Sequence, residues 1–158
     1  MGYIRDMDRK PTGGTSDADL TIRAILAWVR SQPDLRAVAL VGSYTRGTAR
    51  PDSDIDLVLL ARDPDAFRAD TTWVDQIDWQ SIGTHPQTWV DEDYGPAWSR
   101  RVWLDREEVE LTFADLSWAN VNPVDAGTRQ VILGGCQILH DPDGLLARLC
   151  NEVSGSGR

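Results

Sequence analysis

The chain has 158 residues, a net charge of -9, 41% hydrophobic and 26% charged residues, which fits one soluble globular unit with room for a proper core. A surface of that sign repels phosphate backbones and argues against general nucleic-acid binding, while it favours cationic partners such as metal ions or polyamine-like molecules. No apolar run reaches membrane-spanning length, so no membrane association is expected.

Residues 1–16 read as a flexible N-terminal arm, with Pro11, Gly13 and Gly14 as breakers. The first ten residues show no apolar signal-peptide core, so a cytoplasmic protein is expected. A single domain is expected over 17–153. Asp17 or Asp19 is placed to cap a helix from Leu20 to about Ser31, in which Ile22, Ile25, Leu26 and Val29 follow helical spacing. Ala37–Val41 is a short apolar run between turn residues, hence a buried strand ending at Gly42-Ser43. Residues 43–49 suit a brief helix or turn, and Pro51-Asp52-Ser53 another turn. Asp54–Leu60 reads as the second strand. Asp63-Pro64 is a helix start, a capping side chain before a first-turn proline, and the helix is expected to run to about Ile82.

Residues 83–96 read as loop with some extended structure. Arg101–Leu104 and Val109–Phe113 flank the polar Asp105–Glu107 and predict a hairpin. Pro123–Leu133 predicts a helix stopped by Gly134-Gly135, Ile138–Leu139 a short strand, and Asp141-Pro142 the start of a last helix to about Cys150. Residues 154–158 read as a disordered tail. Cys136 and Cys150 lack zinc-site spacing and are expected to be reduced thiols.

The anomaly lies in the second strand. Alternate residues of a strand share a face roughly 6.5–7 Å apart, so Ile55, Leu57 and Leu59 face a core while Asp54 and Asp56 face the other way together. At about 6 Å and an effective dielectric of about 20, two such charges repel by about 3 kcal/mol. An acid pair held on a rigid strand suits a divalent cation, and Mg²⁺ prefers carboxylate and phosphate oxygens. One strand upstream, Gly42 lets a backbone approach a phosphate closely, and Ser43 with the following amides can donate to it. A third acid follows in Val109–Phe113, where Glu110 lies opposite the apolar Val109, Leu111 and Phe113. Glu108 shares that face and is the rival. Arg46 is placed either to neutralise phosphate or to bond a carboxylate of the site. Trp89, Trp98 and Trp118, with Asp91, Glu92 and Asp93, are candidates to hold a cationic or sugar-bearing acceptor, against plain core packing. Asp63-Pro64-Asp65 and Asp141-Pro142-Asp143 repeat the acid spacing, but each opens a helix and capping explains it.

Gly42-Ser43, ten residues, Asp54-Ile55-Asp56 and then Glu110 together resemble the nucleotidyltransferase superfamily that includes DNA polymerase beta. The string GSYTRGTARPDSDIDLVLL is similar to small bacterial, antibiotic-modifying and antitoxin-type members. The resemblance implies an α+β fold, a small mixed β-sheet flanked by helices. It implies attack of an acceptor hydroxyl on the α-phosphorus of a nucleoside triphosphate, ATP or another, with release of pyrophosphate. Asp54, Asp56 and Glu110 would be the catalytic acids and the ligands of Mg²⁺, two ions in the two-metal form, with Glu110 a ligand or a general base. Gly42, Ser43 and Arg46 would hold the nucleotide. The acceptor expected is small and hydroxylated, such as an aminoglycoside-like compound, with AMP the group moved. The alternative is a toxin–antitoxin-type enzyme that binds or adenylylates a partner protein. A second subunit or a toxin partner is compatible with either.

Overall fold

The computed structural model describes residues 16–47 and 54–156. The expected turn at Pro51-Asp52-Ser53 lies outside those residues, as does the N-terminal arm before Ser16. The elements run α1 (Asp17–Arg30), β1 (Leu35–Val41), β2 (Ile55–Ala61), α2 (Pro64–Ala69), β3 (Thr88–Asp93), β4 (Ala97–Trp103), β5 (Glu108–Asp115), α3 (Ala126–Leu133), β6 (Cys136–His140) and α4 (Leu145–Ser156). The strands form one mixed sheet in the order β3-β4-β5-β2-β1-β6, in which β2 and β5 pair in parallel and the other neighbours pair antiparallel. This is the α+β architecture that the resemblance implies, a mixed sheet flanked by helices, and it is consistent with a nucleotidyltransferase fold.

Each face of the sheet has its own core. On one face Ile25, Trp28 and Val29 of α1 pack with Val38, Leu40, Ile55, Leu57, Leu59, Leu111 and Phe113. On the other, Ala37, Ala39, Val58, Leu60 and Ala114 meet Ile132 of α3 and Leu146, Leu149 and Val153 of α4. Both faces of β2 are therefore buried over Leu57–Ala61. Toward the start of β2 the second face changes character: Asp54 and Asp56 are half-buried there, where the apolar residues stop.

The local elements depart from expectation where distant residues intervene. Ser16, not Asp17 or Asp19, caps α1: its hydroxyl accepts from the Asp19 amide, and the Asp19 carboxylate accepts from the Ser16 amide. Asp63 precedes α2 without a side-chain capping bond, and α2 ends at Ala69 instead of continuing to Ile82. Two 3-10 turns, Trp73–Gln76 and Gln80–Ile82, follow.

The cause of that break is Arg100 of β4, a fully buried arginine. Its guanidinium donates to the carbonyls of Arg68 (3.2 Å) and Asp70 (3.1 Å), which takes backbone acceptors that a longer helix would need. It also makes a two-bond pair with Asp91 (2.7 and 2.9 Å) and lies over the rings of Trp73, Trp89 and Trp98. Trp98 is thus a core residue stacked on Phe113, not a pocket wall. At the other end, α4 reaches Ser156, into the segment read as tail. Leu146, Leu149 and Val153 keep helical spacing and are all buried, so packing carries the helix past Cys150. Asp141 accepts from the Leu146 and Ala147 amides, as its capping role requires.

Candidate active site

Strand register assembles the acids. In the parallel β2–β5 pair Asp56 lies opposite Glu110 and Ile55 opposite Val109. In the antiparallel β1–β2 pair Val41 lies opposite Asp56, which brings the following Gly42 against it. Gly42 has φ +84°, and a Cβ built there would stand 3.0 Å from Asp56 Oδ2. Glycine is needed twice over: for the left-handed backbone and for the space that the carboxylate occupies.

The turn after Gly42 is a 3-10 turn over Ser43–Thr45, held by Thr45, whose amide and hydroxyl both donate to the Gly42 carbonyl (3.0 and 2.6 Å). It is buttressed from α3. Arg46 donates to the Gly134 carbonyl (2.5 Å), and Gly135, at φ +119°, sits so near the turn that a Cβ there would lie 2.0 Å from Thr45 Oγ1. Arg46 thus bonds neither acid of the pair; its head is bound at the end of α3. The Gly134-Gly135 pair, read as a helix stop, is also the seat of the Ser43 turn.

The acids do not stand alone. Arg101 of β4 lies directly opposite Glu110 in the β4–β5 register. Its guanidinium pairs with Asp54 Oδ2 (3.1 Å), Glu110 Oε1 (3.3 Å) and Glu92 Oε1 (3.6 Å), and it donates to Glu108 as well. The other oxygen of Glu110 accepts from the Ser99 hydroxyl and the Tyr94 hydroxyl, both at 2.9 Å. Glu110 and Glu108 therefore both belong to the cluster, and both are tied to Arg101.

Asp56 differs from the other acids: among the described residues it makes no ion pair and accepts no hydrogen bond. Burial, reinforced by the neighbouring Glu110 and Asp54 charges and only partly opposed by Arg101, pushes its carboxyl from 3.8 up to about 6. Burial and Glu108 also raise Asp54, against the opposing pull of Arg101.

Among the described residues no group of three or more His, Cys, Asp and Glu side chains is disposed to hold a metal ion. Glu110 meets three protein donors, one of them the Arg101 guanidinium. Asp54 and Asp56 are another matter. Asp54 gives Arg101 only its Oδ2, and Asp56 gives nothing away. Two carboxylates suit an Mg²⁺ ion that keeps waters and takes its remaining ligands from substrate phosphates.

The acids proposed for a cationic acceptor are already matched: Asp91 with Arg100, Glu92 with Arg101, and Asp93 with Arg68 (3.2 Å). Trp89 lies over Arg100. Trp118 does line a cavity, of about 350 Å³, with Pro96, Ala114, Asp115, Ser117, Asp125 and Thr128. Ala114 shares its face of β5 with Glu110, four residues away, about 13 Å along the strand. A roomier cavity of about 680 Å³ lies along residues 75–86 and includes none of the clustered acids. Neither histidine joins the acids. His85 lies 3.9 Å from Asp105, and His140 ends β6. No described helix is long and apolar enough to cross a membrane.

Sequence reasoning missed Arg101, Ser99 and Tyr94. Ser99 and Arg101 alternate on β4 as Glu108 and Glu110 do on β5, and that shared parity was the available signal.

Residues 22–95 match the model of the nucleotidyltransferase domain family, a span that takes in Gly42, Ser43, Asp54 and Asp56 but stops short of Glu110. No curated protein matches the chain. Among solved structures, a toxin–antitoxin complex with AMP-PNP is similar at TM-score 0.43 and 17% identity, covering 85% of this chain and 86% of that one. A mutant of the toxin–antitoxin MntA–HpeT is similar at TM-score 0.41 and 17% identity, covering 86% and 85%. The domain match supports assignment to the nucleotidyltransferase superfamily and, with it, a transferase.

Proposed function

Starting from a nucleotidyltransferase domain over residues 22–95, we propose that the chain transfers AMP from ATP to a hydroxyl of a small cationic acceptor, releasing pyrophosphate. The observation that carries this reading is the meeting of Asp56 with Gly42 on one side and Glu110 on the other, at the end of a sheet face where the apolar core stops. A half-buried carboxylate with no bonded partner among the described residues costs stability, and a site that binds a cation and a phosphate tail at that point gives the cost a use.

In this reading Asp54 and Asp56 hold Mg²⁺, which would neutralise charge on the triphosphate. The Ser43 turn, fixed by Thr45 and by the seat at Gly134-Gly135, presents its amides and hydroxyl to the phosphate tail. Glu110, anchored by Ser99, Tyr94 and Arg101, borders the place where the acceptor hydroxyl arrives. The acceptor's body lies toward Trp118, whose ring and the nearby Asp115 and Asp125 suit a cation. The net charge of -9 favours the approach of such a molecule.

The test is incubation with labelled ATP and the other triphosphates, Mg²⁺ and a panel of acceptors, including aminoglycosides and candidate protein partners. Pyrophosphate release with label on a small hydroxylated amine supports the reading. Label on protein only would move the assignment to a protein-modifying enzyme. No release with any triphosphate would defeat it. Trp118→Ala should raise KM for the small acceptor while leaving KM for ATP unchanged.

A further inference from the structure

We propose that Arg101 is a resident cation of this site: it holds Glu110 out of metal coordination and leaves Asp54 and Asp56 to bind a single divalent ion. The inference rests on the proposed Mg²⁺ role of the two aspartates and adds a stoichiometry to it.

Placement argues for residence. Arg101 stands on the strand next to β5, in direct register with Glu110, so its side chain leaves the sheet beside the carboxylate it serves. One guanidinium meets four acids, Asp54, Glu92, Glu108 and Glu110, from three directions. A guanidinium has five donors in a fixed plane and does not lose its proton in proteins, so no change of pH removes this cation.

Occupancy argues the same way. Both oxygens of Glu110 are engaged, Oε1 by Arg101 and Oε2 by Ser99 and Tyr94. A metal ion claiming Glu110 would compete with Arg101 at Oε1 or with Ser99 and Tyr94 at Oε2, and would sit against a full positive charge. Asp56 imposes no such cost, and Arg101 engages Asp54 through Oδ2 alone. Arg101 is thus a positioning residue. It sets the rotamer of Glu110 and Asp54 and supplies the positive charge that a second ion would otherwise bring.

The experiment is a titration of the full chain with Mn²⁺ alone, free ion being read by electron paramagnetic resonance. Wild type is expected to bind one ion, lost in Asp56→Asn. Glu110→Gln should still bind one ion with affinity within about twofold of wild type, because a residue already committed contributes little. Arg101→Gln should bind two, since removing a fixed charge beside the acids favours cations by about tenfold or more. The second ion should vanish in the Arg101→Gln/Glu110→Gln double variant, and Arg101→Lys should restore one.

Two ions on the wild type, one of them lost in Glu110→Gln, would overturn the proposal and leave the metal reading intact. So would an Arg101→Gln protein that folds and still takes one ion. Wild-type binding that Asp56→Asn leaves unchanged would defeat the metal reading itself and this proposal with it. Should Arg101→Gln fail to fold, the wild-type stoichiometry and the Glu110→Gln comparison still decide the matter.

Discussion

Asp56→Asn should stabilise the metal-free protein at pH 8, against the usual direction for a half-buried polar substitution. The carboxyl stands at about 6 against an ordinary 3.8. A rise of that size corresponds to about 3 kcal/mol against the charged form. Asp56 keeps some contact with water, and screening brings the figure down to about 1–1.5 kcal/mol. For a chain of this length that is an increase of about 3–5 °C in Tm. The sign with pH follows from linkage. The folded chain holds this proton more tightly than the unfolded chain, so wild type has the full benefit below about pH 4 and loses it as the pH rises through about 6. The variant's advantage is therefore complete at pH 8 and smaller at pH 4.5. Thermal melts in chelator at both pH values read it directly. A variant less stable than wild type at pH 8, or an advantage equal at both pH values, would refute the account of Asp56 as a charge that the fold destabilises. With Mg²⁺ and ATP added, wild type should gain Tm and the variant should not, because binding to the native state is what raises it.

Gly42→Ala should cost about 1–2 kcal/mol from its left-handed backbone and should displace Asp56, whose oxygen lies 3.0 Å from the new Cβ. A lower Tm with loss of the Mg²⁺–ATP response is expected, and an unchanged response would count against the contact. Arg100→Met should cost about 3–5 kcal/mol, since it strands Asp91 and the stacked tryptophans. The Arg100→Met/Asp91→Asn double variant should recover part of that, as denaturant melts would show. Burial pushes the Cys136 thiol up to about 12. At pH 8 iodoacetamide should therefore modify Cys136 in the folded protein at least about a hundredfold more slowly than in urea, measured by peptide mass spectrometry.

The motif region was readable because its information is local. Strand parity alone puts Asp54 and Asp56 on one face and Ile55, Leu57 and Leu59 on the other, and the structure has them so. Glu110 followed from the same parity in the β5 segment. The polar link Asp105–Glu107 likewise marked the β4–β5 hairpin correctly. What escaped was decided by partners far away in the chain. The helix expected from Asp63 to Ile82 has suitable local residues, yet Arg100 takes two of its carbonyls. Arg101 looks in sequence like any solvated strand arginine, and its meaning appears only when β4 lies against β5. Asp91, Glu92 and Asp93 read as candidates to hold a cationic or sugar-bearing acceptor, whereas three arginines from α2 and β4 answer them residue by residue.

The parallel pairing of β2 with β5 has a further consequence, for errors in folding. A slip of one residue between these strands would exchange the faces of one of them and drive its carboxylate toward the core that Leu57 and Leu111 occupy. A form mispaired by one residue therefore loses its interior together with its acid cluster, so the parity that fills the core is also the parity that gathers the carboxylates.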